Sequence, residues 1–180
     1  SISVQYRSAG IDEKEALCNE IFSITSKEAD SSRVALYLKT SGLLELLISD
    51  LYVKFESEPA IRKSILSVLT SLSEDSDICA RSLLTHENIF KRIIGYPGDW
   101  SQMLTYCTSD EAFTERLYKS WESITYELII SPLRTASSQS NLEATLTLVK
   151  NILSNHQKWA EKLGEDERFD LIVSAIINHS

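Results

Sequence analysis

The residue types that could support catalysis or metal binding in this 180-residue sequence are three cysteines and three histidines. A thiolate or an imidazole can act as a nucleophile, a general base or a zinc ligand. The sequence has no Cys-x-x-Cys pair and no two histidines at helical i, i+4 spacing. The residues concerned are Cys18, Cys79, Cys107, His86, His156 and His179. Their spacing predicts no catalytic residue, no metal site and no cofactor; a Cys–His–Asp site assembled from distant segments is the alternative.

Motifs and net charge indicate whether the chain can bind phosphate groups. The sequence contains neither Gly-x-Gly-x-x-Gly nor Gly-Lys-Ser/Thr, so neither of those phosphate-binding loops can form. Lys and Arg number 18 against 26 Asp and Glu, a formal charge of −8, so the average potential repels phosphate backbones and anionic lipid. We therefore predict a protein that is not an enzyme, does not bind nucleic acid directly and can attract a partner with basic side chains.

Cysteine usage and hydropathy predict the compartment. An odd number of widely separated cysteines is typical of reduced core residues and not of a disulfide framework. The sequence has no apolar run long enough to span a membrane and no signal-peptide pattern at its start. We expect an intracellular protein, cytoplasmic or nuclear, without membrane insertion. Because the chain starts at Ser1 and residues 1–10 show no clear period, we expect those residues to be irregular or an expression remnant, and the chain to be a fragment.

A seven-residue pattern recurs along the chain and predicts the fold class. Gly-Leu-Leu-Glu-Leu-Leu-Ile at residues 42–48 returns as Asn-Ile-Phe-Lys-Arg-Ile-Ile at residues 88–94 and as Glu-Arg-Phe-Asp-Leu-Ile-Val at residues 167–173. The offsets are 46 (88 − 42) and 79 (167 − 88) residues, close to one and two periods of the ~40–47-residue unit of stacked helical repeats. Gly42 is suited to the left-handed residue that ends a helix, and Asn88 is expected to have the same role in the next unit. We predict a single all-α domain over residues 11–180.

Helical periodicity and capping residues place the elements within that domain. Thr108 with Glu111, and Ser140 with Glu143, match capping boxes that begin helices. Pro132 is expected just beyond the end of a long helix. The expected helices cover residues 11–26, 31–38, 43–55, 61–72, 78–84, 89–96, about 110–130, 146–153, 159–163 and 169–177. Residues 131–140 are expected to form an exposed loop that could accept phosphate, although serine-rich loops carry such patterns by chance.

The repeated pattern resembles the armadillo family and, more loosely, the related HEAT solenoids. The armadillo motif Leu-x-Asn-Leu has degenerate matches at residues 21–24, 69–72, 121–124 and 149–152. The resemblance covers most of residues 11–178, with an irregular third unit between residues 97 and 139. It implies a right-handed superhelix, an α-solenoid of about four degenerate repeats.

In armadillo proteins the third helices line a concave groove that clamps a peptide with asparagines, next to tryptophans one turn earlier. The asparagine position is held here by Ser23, Ser71, Ser123 and Asn151, and the position one turn earlier by Asn19, Ser67, Lys119 and Thr147. Because three asparagines and every tryptophan are replaced, the resemblance argues against an extended basic peptide bound in the importin manner. These polar residues could accept a closely packed helix, or could be solvated without any ligand.

The resulting functional hypothesis is a protein-interaction module of a scaffold or adaptor. A partner peptide or helix would bind the concave face or the irregular third unit, where Trp100 follows an expected turn and is either a binding or a core residue. The alternative is a structural segment of a longer solenoid whose ends are assembly interfaces. Apolar residues near the C-terminus favour that alternative, namely Ile172, Val173, Ile176 and Ile177.

Overall fold

The computed structural model describes residues 1–27, 31–53, 57–95, 100–135 and 139–179. Within those ranges the regular secondary structure is helical and includes no strand. The prediction of an all-α chain is therefore confirmed. Several sequence predictions extend over residues that lie outside the described ranges. These are residues 54–55, Tyr96, and residues 97–99 and 136–138.

The chain divides into two compact units, Ser1–Arg92 and Ile93–Ser180. The sequence predicted one domain over residues 11–180, whereas the boundary between the units falls inside the helix Glu87–Gly95. Each unit has its own set of fully buried side chains, with Leu47 and Val68 in the first and Phe113 and Trp159 in the second. We describe each unit separately.

Unit 1 is built around two long helices that pack side by side, α2 and α5. The described helices are α1 (Ile2–Ser8), α2 (Ile11–Thr25), α3 (Ser31–Thr40), α4 (Leu43–Val53), α5 (Pro59–Ser73), α6 (Ile78–Leu83) and α7 (Glu87–Gly95), which the unit boundary crosses. Helices α3, α4 and α6 also pack on α5. Pro59 occupies the first turn of α5, where its missing N–H has no intrahelical role.

The first ten residues were expected to be irregular, and that prediction is wrong for residues 2–8. Ser1 caps helix α1, and its hydroxyl accepts a hydrogen bond from the backbone N–H of Val4. Tyr6 is 1% exposed, and its hydroxyl donates to Asp50 Oδ2 at 2.9 Å. This long-range anchor fixes a segment whose own periodicity is weak.

Gly42 has the predicted left-handed conformation, with φ of 81°, at the turn between α3 and α4. The parallel prediction for Asn88 is wrong, because Asn88 lies inside α7. The chain turns earlier, and the carbonyl of His86 accepts from the backbone N–H groups of Ile89 and Phe90. Asn88 is therefore in the first turn of a helix and does not end one.

Unit 2 contains one long helix, several shorter ones and a π-helical segment. Its described helices are α8 (Ser101–Cys107), α9 (Glu111–Tyr118), α10 (Trp121–Thr125), the π-helical segment (Tyr126–Ile130), α11 (Ser131–Thr135), α12 (Gln139–Asn155), α13 (Gln157–Glu165) and α14 (Phe169–His179). Helix α12 is the long element of this unit and packs on α8, α13, α11 and the π-helical segment.

The long helix expected over residues 110–130 is interrupted, and its cap differs from the prediction. Ser120 separates α9 from α10. The first turn of α9 is capped by Asp110, whose Oδ2 accepts from the Phe113 backbone N–H at 3.0 Å. Thr108 instead ends α8, and its hydroxyl donates to the carbonyl of Thr105. Asp110, which lies nearer the start of α9, therefore caps this helix in place of Thr108.

The loop expected over residues 131–140 is helical at both ends. Pro132 lies inside α11, and the N–H of Ser131 donates to the carbonyl of Tyr126, five residues earlier. This π-type turn rearranges the hydrogen bonding just before the proline, so the helical path continues past it. Ser140 lies within α12, so the predicted capping box is not formed there.

Candidate interaction surfaces

Four predicted groove residues lie on the two long helices of unit 1. Asn19 and Ser23 are on α2, and Ser67 and Ser71 are on α5. Asn19 is exposed and the three serines are half-buried. Because α2 and α5 pack along one another, the structure brings these two pairs onto neighbouring helices.

Hydrogen bonds within unit 1 already use two of the predicted groove hydroxyls. Ser71 Oγ donates to Thr25 Oγ1 at 2.8 Å, which joins α5 to α2. Ser67 Oγ donates to the carbonyl of Lys63 at 2.9 Å, a bond within α5. Both serines keep acceptor lone pairs, so they could still accept a hydrogen bond from a partner.

Sequence reasoning missed Phe22, which is 41% exposed on α2 between Asn19 and Ser23. The signal was present in the sequence, because Phe22 falls outside the stripe of buried α2 residues. That stripe is Lys14, Cys18, Ile21 and Thr25. We name the set Asn19, Phe22, Ser23, Ser67 and Ser71 the α2–α5 surface.

Asn151 in unit 2 holds a neighbouring helix. Its Nδ2 donates to the carbonyl of Thr105 at 2.8 Å and to Thr108 Oγ1 at 3.3 Å. Asn155, one turn later, donates from Nδ2 to the carbonyl of Thr108 at 2.9 Å. The amide that the armadillo resemblance assigned to clamping a peptide is therefore used to cap the C-terminal end of α8.

The other predicted groove residues of unit 2 are exposed side chains. Lys119 follows α9, Ser123 lies on α10, and Thr147 lies on α12. Helix α10 packs on α9 and on the π-helical segment. Thr147 Oγ1 donates to the carbonyl of Glu143 within its own helix. These three residues offer polar surface and no concentrated apolar area.

Trp100 is a core residue of unit 2, with 1% of its surface exposed. Of its two sequence interpretations, the structure supports the core one and removes this indole from the accessible surface. The residue precedes α8, and its burial helps to fix the start of that helix.

Two histidines, His86 and His156, each lie within hydrogen-bond distance of a glutamate carboxylate. In unit 1, His86 Nε2 lies 2.6 Å from Glu45 Oε2, and Lys39 Nζ donates to Glu45 Oε1 and to Ser82 Oγ. Partial burial acts to raise the pKa of Glu45, but the hydrogen bonds from Lys39 and His86 outweigh it and hold that pKa below its ordinary value. The carboxylate is thereby kept ionised.

In unit 2, His156 caps α13 with an imidazole nitrogen. Its Nδ1 accepts from the Trp159 backbone N–H at 3.1 Å, so Nδ1 carries no proton. The neutral ring then bears its proton on Nε2, which donates to Glu115 Oε2 at 2.5 Å. This ring is 7% exposed and stacks against Tyr118, with 4.4 Å between the ring centroids.

The thiols of unit 1 are poor candidates for a nucleophile. Burial is the main cause that raises the pKa of Cys18 to about 12, with a further contribution from the Asp50 carboxylate. Burial likewise raises the pKa of Cys79 to about 12. Since the thiolate is the reactive species, both groups would be almost unreactive near neutral pH.

A cleft of about 240 Å³ opens in unit 2 beside the π-helical segment. It combines hydroxyl, carboxylate and apolar side chains from α8, the π-helical segment, α11 and α12. The lining residues are Ser101, Thr105, Glu127, Leu128, Ser131, Pro132, Thr135, Ala144, Thr145 and Leu148. Sequence reasoning placed Ser131 in a loop and did not find this cleft. A π-helical turn of this kind is often found at functional sites.

Membrane-spanning helices and metal sites are both absent from the described ranges of the chain. None of the helices there is long and apolar enough to cross a lipid bilayer. The same residues contain no group of three or more His, Cys, Asp or Glu side chains arranged to hold a metal ion.

Comparisons with known proteins give no match. A scan against protein-family models, a search of curated proteins and a search of solved structures each return nothing similar to this chain.

Proposed function

We propose that this chain is a non-catalytic protein-interaction module of a scaffold or adaptor, and that its α2–α5 surface binds a helix or peptide of a partner protein. The observation that carries this proposal is the exposure of Phe22, 41% accessible on a helix that is otherwise anchored along its buried stripe. An aromatic ring held on a rigid helix loses little conformational entropy when a partner covers it. Asn19 and Ser23 beside it could give the contact its polar rim.

The proposed architecture is an armadillo-like right-handed superhelix of about four degenerate repeats. Long-range side-chain hydrogen bonds support it, because those described in the two units join residues 34 to 47 positions apart. A separation near one repeat length is expected when each helix packs on its equivalent in the next repeat.

The proposed compartment is an intracellular, reducing one. Cys18, Cys79 and Cys107 are buried and form no disulfide bond. Buried cysteines without disulfides are compatible with a cytoplasmic or nuclear protein, where thiols remain reduced.

A photo-crosslinking experiment tests the α2–α5 surface. A benzophenone amino acid replaces Phe22 in one sample and Tyr37, which is 57% exposed on α3, in the matched control. With cell extract from the source of the protein, position 22 should yield a discrete crosslinked partner that position 37 does not. The partner is then purified for a binding measurement.

Substitution of Phe22 gives the quantitative test. Phe22→Ala should weaken binding of that partner by about tenfold or more, as expected for an interface aromatic. Tyr37→Ala should leave affinity unchanged, and both variants should melt like the parent chain because surface changes rarely exceed about 0.5 kcal/mol. Equal affinity of Phe22→Ala and the parent would rule out this surface.

A second candidate function is an assembly interface on α14, favoured by Ile177, which is 67% exposed on that helix. Such a face could be covered by a further repeat of the same solenoid. Sedimentation of the chain and of its Ile177→Glu variant tests this. Concentration-dependent association that the charge abolishes supports an interface, and a monomer at every concentration contradicts it.

A further inference from the structure

The cleft in unit 2 combines apolar side chains with one carboxylate among its described lining residues. Pro132 of α11 supplies half-buried apolar surface, and Leu128 of the π-helical segment and Leu148 of α12, both nearly buried, line the cleft behind it. Among the described lining residues Glu127 alone carries a charge, and its side chain is exposed. Hydrogen bonds from Arg168 are the main cause that lowers the pKa of Asp166, with a smaller contribution from Arg134 on α11.

Two hydroxyls in the cleft are committed as donors and present acceptor oxygens. Thr105 Oγ1 donates to the carbonyl of Ser101 at 2.9 Å. Thr135 Oγ1 donates to the carbonyl of Ser131 at 3.1 Å. A hydroxyl has one proton and two lone pairs, so both oxygens can still accept. With the Glu127 carboxylate, these two oxygens give the cleft three acceptor groups that suit a cationic donor.

The size of the cleft limits its ligand. Its volume of about 240 Å³ is below the roughly 300–1,000 Å³ typical of sites for drug-sized ligands. One long side chain therefore fits the space better than a cofactor does. Lysine and arginine combine an apolar stem with a charged head that carries only donors.

We infer that this cleft binds a lysine or arginine side chain from a basic segment of a partner protein. The stem lies against Leu128, Pro132 and Leu148, and the cation meets the Glu127 carboxylate at the open side. The net charge of −8 favours the approach of such a segment. This site belongs to unit 2 and does not depend on partner binding at the α2–α5 surface in unit 1.

Nuclear magnetic resonance of the ¹⁵N-labelled chain tests the inference with a defined probe. The probe is Nα-acetyl-lysine N-methylamide, and its Nε-acetylated form is the uncharged control with the same stem. We expect saturable shifts at the amides of Glu127, Leu128 and Leu148, with affinity of about 1 mM or weaker for one exposed contact. The control compound should give smaller shifts at the same concentration. Equal shifts from both compounds, or shifts confined to other residues, would overturn the inference.

Two variants separate charge from shape. Glu127→Gln should weaken probe binding by about two- to fivefold, the range expected for an exposed ion pair, and Glu122→Gln, an exposed change on α10 outside the cleft, should leave it unaltered. Ala144→Leu should fill the cleft and abolish the shifts. The amide spectrum of each variant shows whether it is folded. Unchanged binding by a folded Glu127→Gln or Ala144→Leu variant would contradict the assignment, whatever the outcome at Phe22.

Discussion

The two units fasten corresponding helices with different chemistry. In unit 1, Ser71 on α5 donates to the hydroxyl of Thr25 on α2. In unit 2, Asn151 on α12 donates to the carbonyl of Thr105 on α8. Both pairs are 46 residues apart, and both positions shift by 80 residues between the units (151 − 71 and 105 − 25). A hydrogen bond therefore joins the same two positions in each unit, but its donor is a serine hydroxyl in unit 1 and an asparagine amide in unit 2.

Helix length explains the change of donor. Helix α2 has 15 residues, and its partner bond uses a side chain in its last turn. Helix α8 has 7 residues and ends at Cys107, so a large share of its carbonyls lack intrahelical partners. Asn151 and Asn155 supply amide donors at that end. A position that resembles a ligand-binding asparagine can thus be explained by the needs of a short helix.

Each unit also holds polar groups that are partly or fully buried. Unit 1 has a partly buried charged pair, in which Lys14 Nζ donates to Asp50 Oδ2 at 2.9 Å and lies over the Tyr6 ring, and unit 2 has another between Arg168 and Asp166. Unit 2 buries the neutral imidazole of His156 at the start of α13. Loss of one partner from the charged pair of unit 1 should therefore cost more than loss of a neutral hydrogen bond.

The largest predicted effect concerns Trp159. This residue is fully buried in α13, and its Nε1 donates to Thr125 Oγ1 at 3.0 Å. Its counterpart by the same 80-residue offset (159 − 79) is Cys79, also fully buried in α6. Trp159→Ala should lower the free energy of unfolding by about 3–5 kcal/mol, and Cys79→Ala by about 1 kcal/mol. Urea titrations measure the free energy of unfolding of both variants. Similar losses from side chains of such different size would show that the two positions are packed differently.

The second prediction concerns the charged pair of unit 1. Asp50→Asn keeps the shape of the side chain but leaves the Lys14 ammonium, whose side chain is 11% exposed, without its carboxylate. We expect a loss of about 2–3 kcal/mol in the free energy of unfolding, because a largely buried charge would be uncompensated. Glu13→Gln, an exposed change on α2, is the control. A loss below that of the control would show that the pair adds no net stability.

The third prediction compares the two helix-joining bonds directly. Asn151→Ala should cost about 1–2 kcal/mol, since it removes donors from acceptors at the buried end of α8. Ser71→Ala should cost about 0.5–1 kcal/mol, because Thr25 keeps its bond to the carbonyl of Phe22. Chemical denaturation at one pH gives both values. If the serine variant loses more, helix length does not explain the difference between the units.

The smallest effect is a pH dependence at Asp166. Hydrogen bonds from the Arg168 guanidinium hold the pKa of Asp166 below its ordinary value, against the opposing effect of burial. Because the folded-state pKa is depressed, the stabilisation is present above the unfolded pKa of about 4 and is lost as the pH falls through the folded-state value.

Arg168→Gln should therefore destabilise the chain at pH 7 by about 0.2–1 kcal/mol, and the gap from the parent should close in acid. Arg81→Gln, which breaks the exposed pair with Asp77 in unit 1, should show a smaller gap. Unfolding titrations at several pH values compare the two. A gap at Arg168 that widens in acid would contradict a depressed pKa at Asp166.

Much of the helical framework could be predicted from local sequence. Gly42 was placed correctly because a left-handed residue is a local requirement that glycine meets. Asn88 was not, because its conformation depends on where the preceding turn ends, at His86. Helix α1 was missed because it depends on the contact of Tyr6 with Asp50, 44 residues away.

The candidate site was less predictable than the fold. Asn19, Ser23 and Ser67 were identified from the armadillo resemblance and do lie on the helices expected. The role of Asn151 could not be predicted, since it depends on the end of α8. The cleft required knowledge of α11, whose path past Pro132 depends on a backbone hydrogen bond and not on residue type.

The π-helical segment also sets the rotational phase of helix α11, which follows it directly. A π-turn is equivalent to one extra residue in an α-helix, and each residue of an α-helix rotates the next by about 100°. Deleting one residue between Tyr126 and Ile130 would convert the turn to ordinary α-helix and swing Ser131 and Pro132 away from Glu127 around the axis. The cleft therefore depends on the extra residue of this π-turn, and a sequence that formed a regular α-helix here would lose the cleft.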